Sequence, residues 1–425
     1  MSILPGGERL FGGRPSGLVP AVPQLVVRFA AVWDEAGGGS LGLGPEFTTR
    51  RRRPREKALS LFVDAVRDEA ERLPATAEER EACRKRVFGA FESFARCGLD
   101  WEDRHIESLL GGGFDRAAAE FVRLAREFDP GLGSGDVFQA CRNVWVANGL
   151  QVLLGLPVRL TPSVFAYSLL YPYADNYLDD PSTGEGDKQA FNTRLRSRLE
   201  GREAAAANPR EKTIFDLVAR IEGDWDRSLF PQVFESLLAI HEAQEKSLKL
   251  LRGESAPAAQ DALGIALEKG GTSVLADGCL VAGSLTPQHV EFLFGFGAFL
   301  QLMDDLEDVQ EDKRAGLWTM FSSAAGREPL DGVTERTLRF GRRVLDGLDT
   351  FTAPGAAPLK EVIRSSLPWG LISTAGRFRR LYRRSTIRDL ERHSPFRFSI
   401  YNRERRRLER RRAALARLFE SLSRA

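Results

Sequence analysis

The chain has 425 residues, of which 43% are apolar and 28% charged, and this composition excludes an intrinsically disordered protein. Its four cysteines show no CxxC spacing and its four histidines no HExxH motif, which argues against a disulfide framework and a zinc site. No apolar run has the roughly 18 residues of a membrane span, and the N-terminus lacks a signal-peptide pattern. We therefore expect a cytoplasmic protein.

The net charge of +2 conceals an uneven distribution of basic residues. Residues 377–425 contain 17 Arg, no Lys and five Asp or Glu, so this segment has a local charge of +12. Leu408, Leu415, Leu418 and Leu422 recur at helical spacing, which favours a docked terminal helix with solvated arginines. Peripheral contact with an anionic membrane stays open as the alternative, and we expect no nucleic-acid binding.

The predicted elements are helices. Residues 1–55 hold 10 Gly and 6 Pro, and we predict a loosely ordered leader there. Thr76 begins a capping box, and Thr161-Pro162 and Thr286-Pro287 place proline at the first helical position. Candidate helices cover residues 56–73, 77–97, 102–110, 115–128, 135–153, 162–180, 187–200, 210–223, 231–252, 257–283, 287–312, 332–348, 357–384 and 403–423. The prediction is an all-α fold with a main domain over 56–376 and an Arg-rich helical segment over 377–425.

Two of these helices contain residues that should interrupt them. Pro172 lacks an N–H group for the helical hydrogen-bond ladder, and Gly270 and Gly271 form a pair of poor helix formers. We predict a kink or a break at each place.

The first of two acidic clusters follows the apolar run at 165–173. Asp175 and Asp179 are four residues apart, so a helix would place both carboxylates on one face, about 6 Å apart. At an effective dielectric constant of 20, two such charges repel by about 3 kcal/mol unless a cation neutralises them. A solvated acidic face is the alternative interpretation.

The second cluster lies in residues 304–312. Asp304, Asp308 and Asp312 stand at i, i+4 and i+8, which is a line of carboxylates on one helical face. Acidic residues at a helix C-terminus oppose the macrodipole, so local helix stability does not explain them. Mg²⁺, or alternatively Mn²⁺, binds such oxygens and bridges them to phosphates, whereas the spacing excludes an EF-hand. The predicted metal ligands are Asp175, Asp179, Asp304, Asp308 and Asp312.

With these motifs the chain resembles the class I isoprenoid synthase superfamily, which includes terpene cyclases, trans-prenyltransferases, and squalene and phytoene synthases. DNYLDD at 175–180 resembles the first aspartate motif, although Asn176 departs from the DDxxD form. QLMDDLEDVQED at 301–312 resembles the second motif, including Gln301. EKGGTSVLADGCLVAG at 268–283 is similar to the kinked, lysine-containing helix that precedes the second motif. The resemblance covers roughly residues 160–314.

The resemblance implies a helical bundle with a central active-site cavity in the main domain. The helices ending at Asp180 and Asp312 would run side by side, and Asp175, Asp179, Asp304 and Asp308 would be catalytic. Lys269, with Lys313 or Arg314, would contact the substrate diphosphate, as would N–H groups of a helix restarting after Gly271. The implied substrate-binding set also includes Tyr171, Tyr167, Val164, Phe296 and Gln301.

The aromatic residues of that set would form a wall below the metals. Tyr171, Tyr167 and Val164 share the face of Asp175, and Phe296 shares that of Asp304, so their rings could stabilise a carbocation. Ordinary core packing is the alternative for each side chain.

The implied activity is that of a Mg²⁺-dependent terpene cyclase that ionises a prenyl diphosphate and releases diphosphate. Chain-elongating relatives carry a GKxxR-type segment upstream and basic residues after the first motif, and neither FDPGLGSG at 128–135 nor PSTGEGDKQ at 181–189 matches. Condensation of two prenyl diphosphates, as in squalene and phytoene synthases, stays open, as does a non-catalytic metal-binding scaffold. The prenyl chain length and the oligomeric state, for which a homodimer is one arrangement, are also open.

Overall fold

The computed structural model describes residues 17–178, 180, 182–250 and 259–423. All regular secondary structure in these ranges is helical. The only strand-like pairing within them is an isolated β-bridge between Ala325 and Glu328. The prediction of an all-α chain is therefore confirmed. None of the described helices is long and apolar enough to cross a membrane.

Nineteen α-helices are present in the described ranges. In chain order they are α1 (Leu18–Glu35), α2 (Thr49–Arg72), α3 (Ala77–Leu99), α4 (Asp103–Ile106), α5 (Phe114–Phe128), α6 (Ser134–Leu153), α7 (Pro162–Leu178), α8 (Glu185–Leu199), α9 (Pro209–Asp224), α10 (Pro231–Ser247), α11 (Ala259–Ala282), α12 (Pro287–Glu307), α13 (Val309–Ala315), α14 (Met320–Ala324), α15 (Asp331–Asp346), α16 (Ala356–Arg377), α17 (Arg384–Arg392), α18 (Phe398–Glu409) and α19 (Arg412–Leu422). A π-helical turn covers Glu107–Gly111, and 3₁₀ turns cover Leu248–Leu250, Gly347–Thr350 and Arg379–Leu381.

These helices belong to two compact units. Unit 1 comprises described residues up to 41 together with 161–352, and unit 2 comprises 42–160 together with 353 onward. Unit 1 thus contains α1 and α7–α15, and unit 2 contains α2–α6 and α16–α19. This division differs from the predicted boundaries at 56 and 376, because each unit combines two separate stretches of the chain.

The core of unit 1 is built around α11. This helix packs along α10 and α12, while α7 packs against α9 and α11. Helix α1 lies on α10, α11 and α15, and buries Leu25, Phe29 and Trp33. The predicted loosely ordered leader is therefore wrong for 18–35, because these apolar residues recur at helical spacing and pack into the core. Residues 1–16 lie outside the described ranges.

Helices α11 and α12 approach each other closely at two glycines. A Cβ added at Gly270 would overlap the carbonyl oxygen of Gly297, and a Cβ at Gly297 would overlap that of Gly270. Further along, Gly278 lies against Leu293, so the two helices are antiparallel. Helix α11 continues through Gly270 and Gly271, so of the predicted kink or break the break is wrong. The glycines allow backbone contact with α12.

The predicted interruption at Pro172 also produces no break. Helix α7 spans Pro162–Leu178 as one element and buries most of its residues. Tertiary packing on several sides therefore outweighs the cost of the missing N–H group.

Unit 2 is a second helical bundle. Helix α2 packs against α3, and α16 packs against α6, α17 and α18. Helix α19 lies against α6, α2, α3 and α5, with Leu418 buried beside Ala70 and Cys83. Arg126 and Glu420 form an ion pair of 2.7 Å at its C-terminal end. The terminal helix is therefore docked, as predicted, but the predicted single helix over 403–423 is divided between α18 and α19, with Leu408 on the first of them.

Candidate functional site

The first aspartate motif begins on the last turn of α7. Asp175 and Asn176 are exposed there, whereas Asp179 lies outside the described residues. Asp180 follows the helix, accepts hydrogen bonds from the Ser182 amide and hydroxyl, and pairs with Arg210. The hydrogen bond from Arg210 and those from Ser182 hold the pKa of Asp180 well below its usual range. Asp180 thus stabilises a turn, and Asp175 is the described carboxylate of the motif on α7.

A buried network holds this end of α7 against α9. Glu211 is fully buried and accepts two hydrogen bonds from Arg194, at 2.6 and 2.9 Å. It also accepts one from the Tyr177 hydroxyl at 3.2 Å, and Asn208 donates to that hydroxyl at 3.1 Å. Burial raises the pKa of Glu211, whereas the hydrogen bonds from Arg194 and from the Ala207 amide lower it. The lowering is the larger effect, so the net shift of the pKa is downward.

Our sequence analysis missed this network. Asn208 caps α9 and accepts from the Glu211 amide at 3.0 Å, and an Asn-Pro dipeptide followed by Glu is a helix-start signal that could have been recognised. The signal indicates the cap only. That Tyr177 and Arg194 converge on the same carboxylate depends on tertiary packing.

The second aspartate motif crosses a junction between two helices. Asp304 lies in the last turn of α12, Asp308 separates α12 from α13, and Asp312 lies in α13. The amide of Asp308 donates to the Asp304 carbonyl oxygen at 2.8 Å, and that of Asp312 to the Asp308 carbonyl oxygen at 2.9 Å. The i, i+4, i+8 spacing is thus retained by backbone hydrogen bonds, although the predicted single helix is divided.

Asp305 is a buried member of this cluster that our sequence analysis did not assign as a ligand. Its Oδ1 accepts a hydrogen bond of 2.8 Å from Gln301, and its Oδ2 is buried with no partner in the described part of the chain. Burial raises the pKa of Asp305 to about 7, and the charges of Asp312 and Asp304 add to this rise. Gln301, which is predicted to contact substrate, donates a hydrogen bond to this carboxylate.

Asp312 is similarly affected. Burial raises its pKa to about 6, and the negative charge of Asp308 contributes to the rise. The positive charge of Lys269 and a hydrogen bond with Thr319 act in the opposite direction. At both carboxyl groups burial, with the neighbouring carboxylates, thus outweighs the effect of the Lys269 charge on the pKa.

Lys269 of α11 lies beside the second motif. Its neighbour Gly270 contacts Gly297 and Gln301 of α12, and the charge of Lys269 lowers the pKa of both Asp305 and Asp312. Within the described ranges the side chain forms no hydrogen bond or close ion pair. The predicted helix restart after Gly271 is wrong, because α11 is continuous and its amides there belong to the helix interior.

The other two predicted basic residues lie on α13. Lys313 donates to the Ala325 carbonyl oxygen at 2.7 Å, and Arg314 is exposed. Lys313 is therefore engaged by the backbone of the turn after α14. A contact with diphosphate would require it to exchange that hydrogen bond.

The two predicted tyrosines of α7 pack against each other and close to α11. Their ring centroids are 5.2 Å apart in an edge arrangement, and the Tyr167 hydroxyl donates to the Ser273 carbonyl oxygen at 3.2 Å. The Tyr171 hydroxyl is buried with no hydrogen-bond partner in the described ranges. Burial raises the pKa of both tyrosines well above the usual value, and the charge of Asp277 adds to it.

Helix α11 connects the two motifs. Lys269, Ser273 and Asp277 recur every four residues and so share one face of the helix, with Lys269 close to the second motif and the other two close to the tyrosines. Helices α7 and α12 both pack against α11. That the two aspartate helices run side by side stays a prediction.

The remaining predicted wall residues form core contacts. Val164 is buried, and Phe296 stacks on Phe292 with ring centroids 5.4 Å apart. These contacts are those of ordinary helix packing, which was the alternative for each of these side chains.

The predicted metal ligands are all carboxylates. Among the described residues, no three His, Cys, Asp or Glu side chains converge closely enough to hold a metal ion. The predicted donor set nevertheless fits a hard cation, since it consists of carboxylates and backbone hydrogen bonds keep Asp304, Asp308 and Asp312 in one line.

Comparison with protein-family models, with curated proteins and with solved structures found no match to this chain. The assignment of a function therefore depends on the site residues themselves.

Proposed function

We propose that unit 1 is a Mg²⁺-dependent class I terpene synthase that ionises a prenyl diphosphate. The observation that carries this proposal is the line of Asp304, Asp308 and Asp312, kept in register by backbone hydrogen bonds, with Lys269 on the helix that packs against α12. A cation beside a line of carboxylates suits a substrate that is bound through metal ions on one side and through a lysine on the other. On a solvated acidic face, water screens the carboxylates, so that alternative gives no role to a lysine on the neighbouring helix.

In this proposal Asp304, Asp308 and Asp312 hold Mg²⁺, together with Asp175 and Asp179 of the first motif. The bound metal would neutralise the negative charge that develops on the departing diphosphate. Lys269 binds and orients the same diphosphate through its ammonium group. The hydrogen bond from Gln301 to Asp305 stabilises the end of α12. Because Asp305 is buried, its pKa responds to the charges near it.

The hydrocarbon part of the substrate would lie against α7 and α11. Tyr171 contributes an aromatic face and a hydroxyl with no partner in the described ranges, and Tyr167 is fixed by its hydrogen bond to Ser273. Aromatic faces attract a cation, and buried apolar side chains exclude the water that would quench it. Asp277 is buried one turn after Ser273 on the same face of α11, and its carboxylate would attract a carbocation that passes the two rings.

We favour cyclisation of a single prenyl diphosphate over condensation of two. The chain shows no GKxxR-like segment at 128–135 and no run of basic residues at 181–189 that would hold a second diphosphate. A product with the same carbon number as the substrate supports cyclisation. A product with twice that number identifies a condensing enzyme of the squalene and phytoene synthase kind.

The test is incubation of the purified full-length protein with Mg²⁺ and prenyl diphosphates of ten, fifteen or twenty carbons, followed by extraction and mass spectrometry. We expect a terpene hydrocarbon or alcohol from one substrate alone. A matched pair of variants controls the assignment, since Asp304→Asn and Glu311→Gln each remove one negative charge from the same cluster. The first should lose the product and the second, which lies off the line of three aspartates, should retain it.

A further inference from the structure

Unit 2 contains a small cavity that is lined mainly by arginine side chains. Its volume is about 200 Å³, and its polar lining consists of Arg377, Arg379, Arg405, Arg406, Ser399 and Asn402. The first two arginines belong to the end of α16 and to the 3₁₀ turn after it, and the other four residues belong to α18. No acidic residue is among the described residues that line it.

The packing of α16 on α18 holds these arginines together. A Cβ at Gly376 would lie 2.5 Å from Cγ of the buried Phe398 ring, so only glycine allows this approach. Asn402 donates from Nδ2 to the Gly376 carbonyl oxygen at 3.1 Å and thereby satisfies a carbonyl near the end of α16. The cavity is therefore fixed by contacts that do not involve the guanidinium groups.

The positive charge of the cavity is only partly compensated. Arg405 pairs with Glu409, and Arg377 lies over the Phe378 ring at 4.7 Å from its centroid. Arg379 and Arg406 are exposed, and their side chains form no hydrogen bond or ion pair within the described ranges. Like charges gathered at one place repel unless an anion is present.

We propose that this cavity binds a phosphate group. Guanidinium groups match the geometry of phosphate oxygens and bind them by paired, charge-assisted hydrogen bonds. The cavity is smaller than the roughly 300 Å³ at which pockets for whole drug-sized ligands begin, so it fits a phosphate group and not a complete cofactor. This proposal is independent of the proposed function of unit 1, because the two sites share no residue.

Phosphate and sulfate differ in protonation. The Ser399 hydroxyl in the lining can accept a hydrogen bond from a protonated phosphate oxygen. A phosphate monoester has its second pKa at about 6 and so keeps a proton on part of its population near neutral pH, which supplies a donor. Sulfate is fully ionised there and offers only acceptors.

Two sources supply such a group, namely a free phosphate compound and the headgroup of an anionic lipid. The probe for the first is inorganic phosphate, with sulfate for comparison, titrated into the full-length protein by calorimetry. The probes for the second are sedimented vesicles of phosphatidylcholine with either phosphatidic acid or phosphatidylserine, matched in total negative charge. Phosphatidic acid exposes a phosphate monoester, whereas phosphatidylserine does not.

The diagnostic variant is Arg379→Gln/Arg406→Gln, and the control Arg384→Gln/Arg388→Gln removes the same charge from exposed positions of α17 that do not line the cavity. We expect phosphate, or phosphatidic acid vesicles, to bind at least about tenfold more weakly to the first variant, because charge-assisted hydrogen bonds are lost. Binding to the control variant should be unchanged.

The two probes distinguish the two sources. If the protein binds phosphatidic acid vesicles but not inorganic phosphate, the ligand is a lipid headgroup. If it binds inorganic phosphate, the ligand is a free phosphate compound. Equal weakening in both variants, equal binding of sulfate, or no binding of either probe would overturn the proposal. Circular dichroism of both variants verifies that they are folded.

Discussion

Gly270 of α11 and Gly297 of α12 are in direct backbone contact. A Cβ atom on either residue would overlap the carbonyl oxygen of the other. This contact sets the spacing of the two helices one residue from Lys269 and two turns before Asp304. The glycines therefore matter for the position of the lysine ammonium group as well as for the stability of unit 1.

We expect Gly297→Ala to destabilise the protein by about 1–3 kcal/mol, because the added methyl group forces the helices apart. It should also reduce diphosphate release, since Lys269 moves away from Asp305. The control is Gly264→Ala, also on α11, where the nearest atom to an added Cβ is 3.7 Å away in Val26. That variant should be neutral or more stable by up to about 1 kcal/mol, because alanine is the better helix former. Melting temperatures of both variants test this, and equal values would contradict the packing argument.

Glu211→Gln tests the network that holds the end of α7. Breaking a buried ion pair costs about 3–5 kcal/mol, whereas Asp216→Asn, which breaks the exposed pair with Lys212, should cost at most about 1 kcal/mol. Urea unfolding of the two variants gives the comparison. A change of similar size in both would show that the Glu211 network does not anchor α7.

The same network predicts a dependence of stability on pH. The pKa of Glu211 in the folded protein lies below its ordinary value of 4.5. Its contribution to stability is therefore complete above pH 4.5 and is lost as the pH falls through the folded-state pKa. The difference in melting temperature between wild type and Glu211→Gln should be constant near neutral pH and should shrink in acid. A difference that grows as the pH falls would contradict the direction of the shift.

How much the sequence alone could predict differs between local and tertiary features. The helix starts at Pro162 and Pro287 and the capping box at Thr76 are confirmed, since they depend on backbone groups within one turn. Of the kink or break predicted at Gly270, the break is wrong, because a residue type tolerated poorly in an isolated helix is required when a second backbone lies against it.

The candidate site shows the same division. The i, i+4, i+8 spacing of Asp304, Asp308 and Asp312 was readable from the sequence and is retained across the junction of α12 and α13. The burial of Asp305 and the buried pair of Glu211 with Arg194 were not readable, because they depend on which helices pack together. The buried helix α1 was missed because its Gly-rich and Pro-rich surroundings dominated the composition.

Two aspartates of the first motif should behave differently. Asp175→Ala should abolish Mg²⁺-dependent turnover if this carboxylate holds metal. Asp180→Ala should retain activity, because Asp180 is bound to Ser182 and Arg210 in the turn after α7. Diphosphate release by the two variants is the measurement. Equal loss of activity in both would mean that the turn, and not the metal site, is the sensitive feature.

Lys269→Met is expected to lower diphosphate release by about a hundredfold or more, as the loss of one group that stabilises a developing charge commonly does. The variant should also raise the pKa of Asp305 and Asp312, since the lysine charge lowers both. Lys246→Met is the matched control, because Lys246 pairs with Glu268 at 2.6 Å, one residue before Lys269. Its activity should stay close to that of wild type. Comparable losses in the two variants would argue against a specific role for Lys269.

The most direct test of the proposed function is the rate of diphosphate release from a prenyl diphosphate with and without Mg²⁺, measured for wild type, Asp304→Ala and Glu311→Gln. We predict release by wild type and Glu311→Gln that depends on Mg²⁺, and none by Asp304→Ala. Absence of release from prenyl diphosphates of ten, fifteen and twenty carbons, or equal release by wild type and Asp304→Ala, would contradict the account.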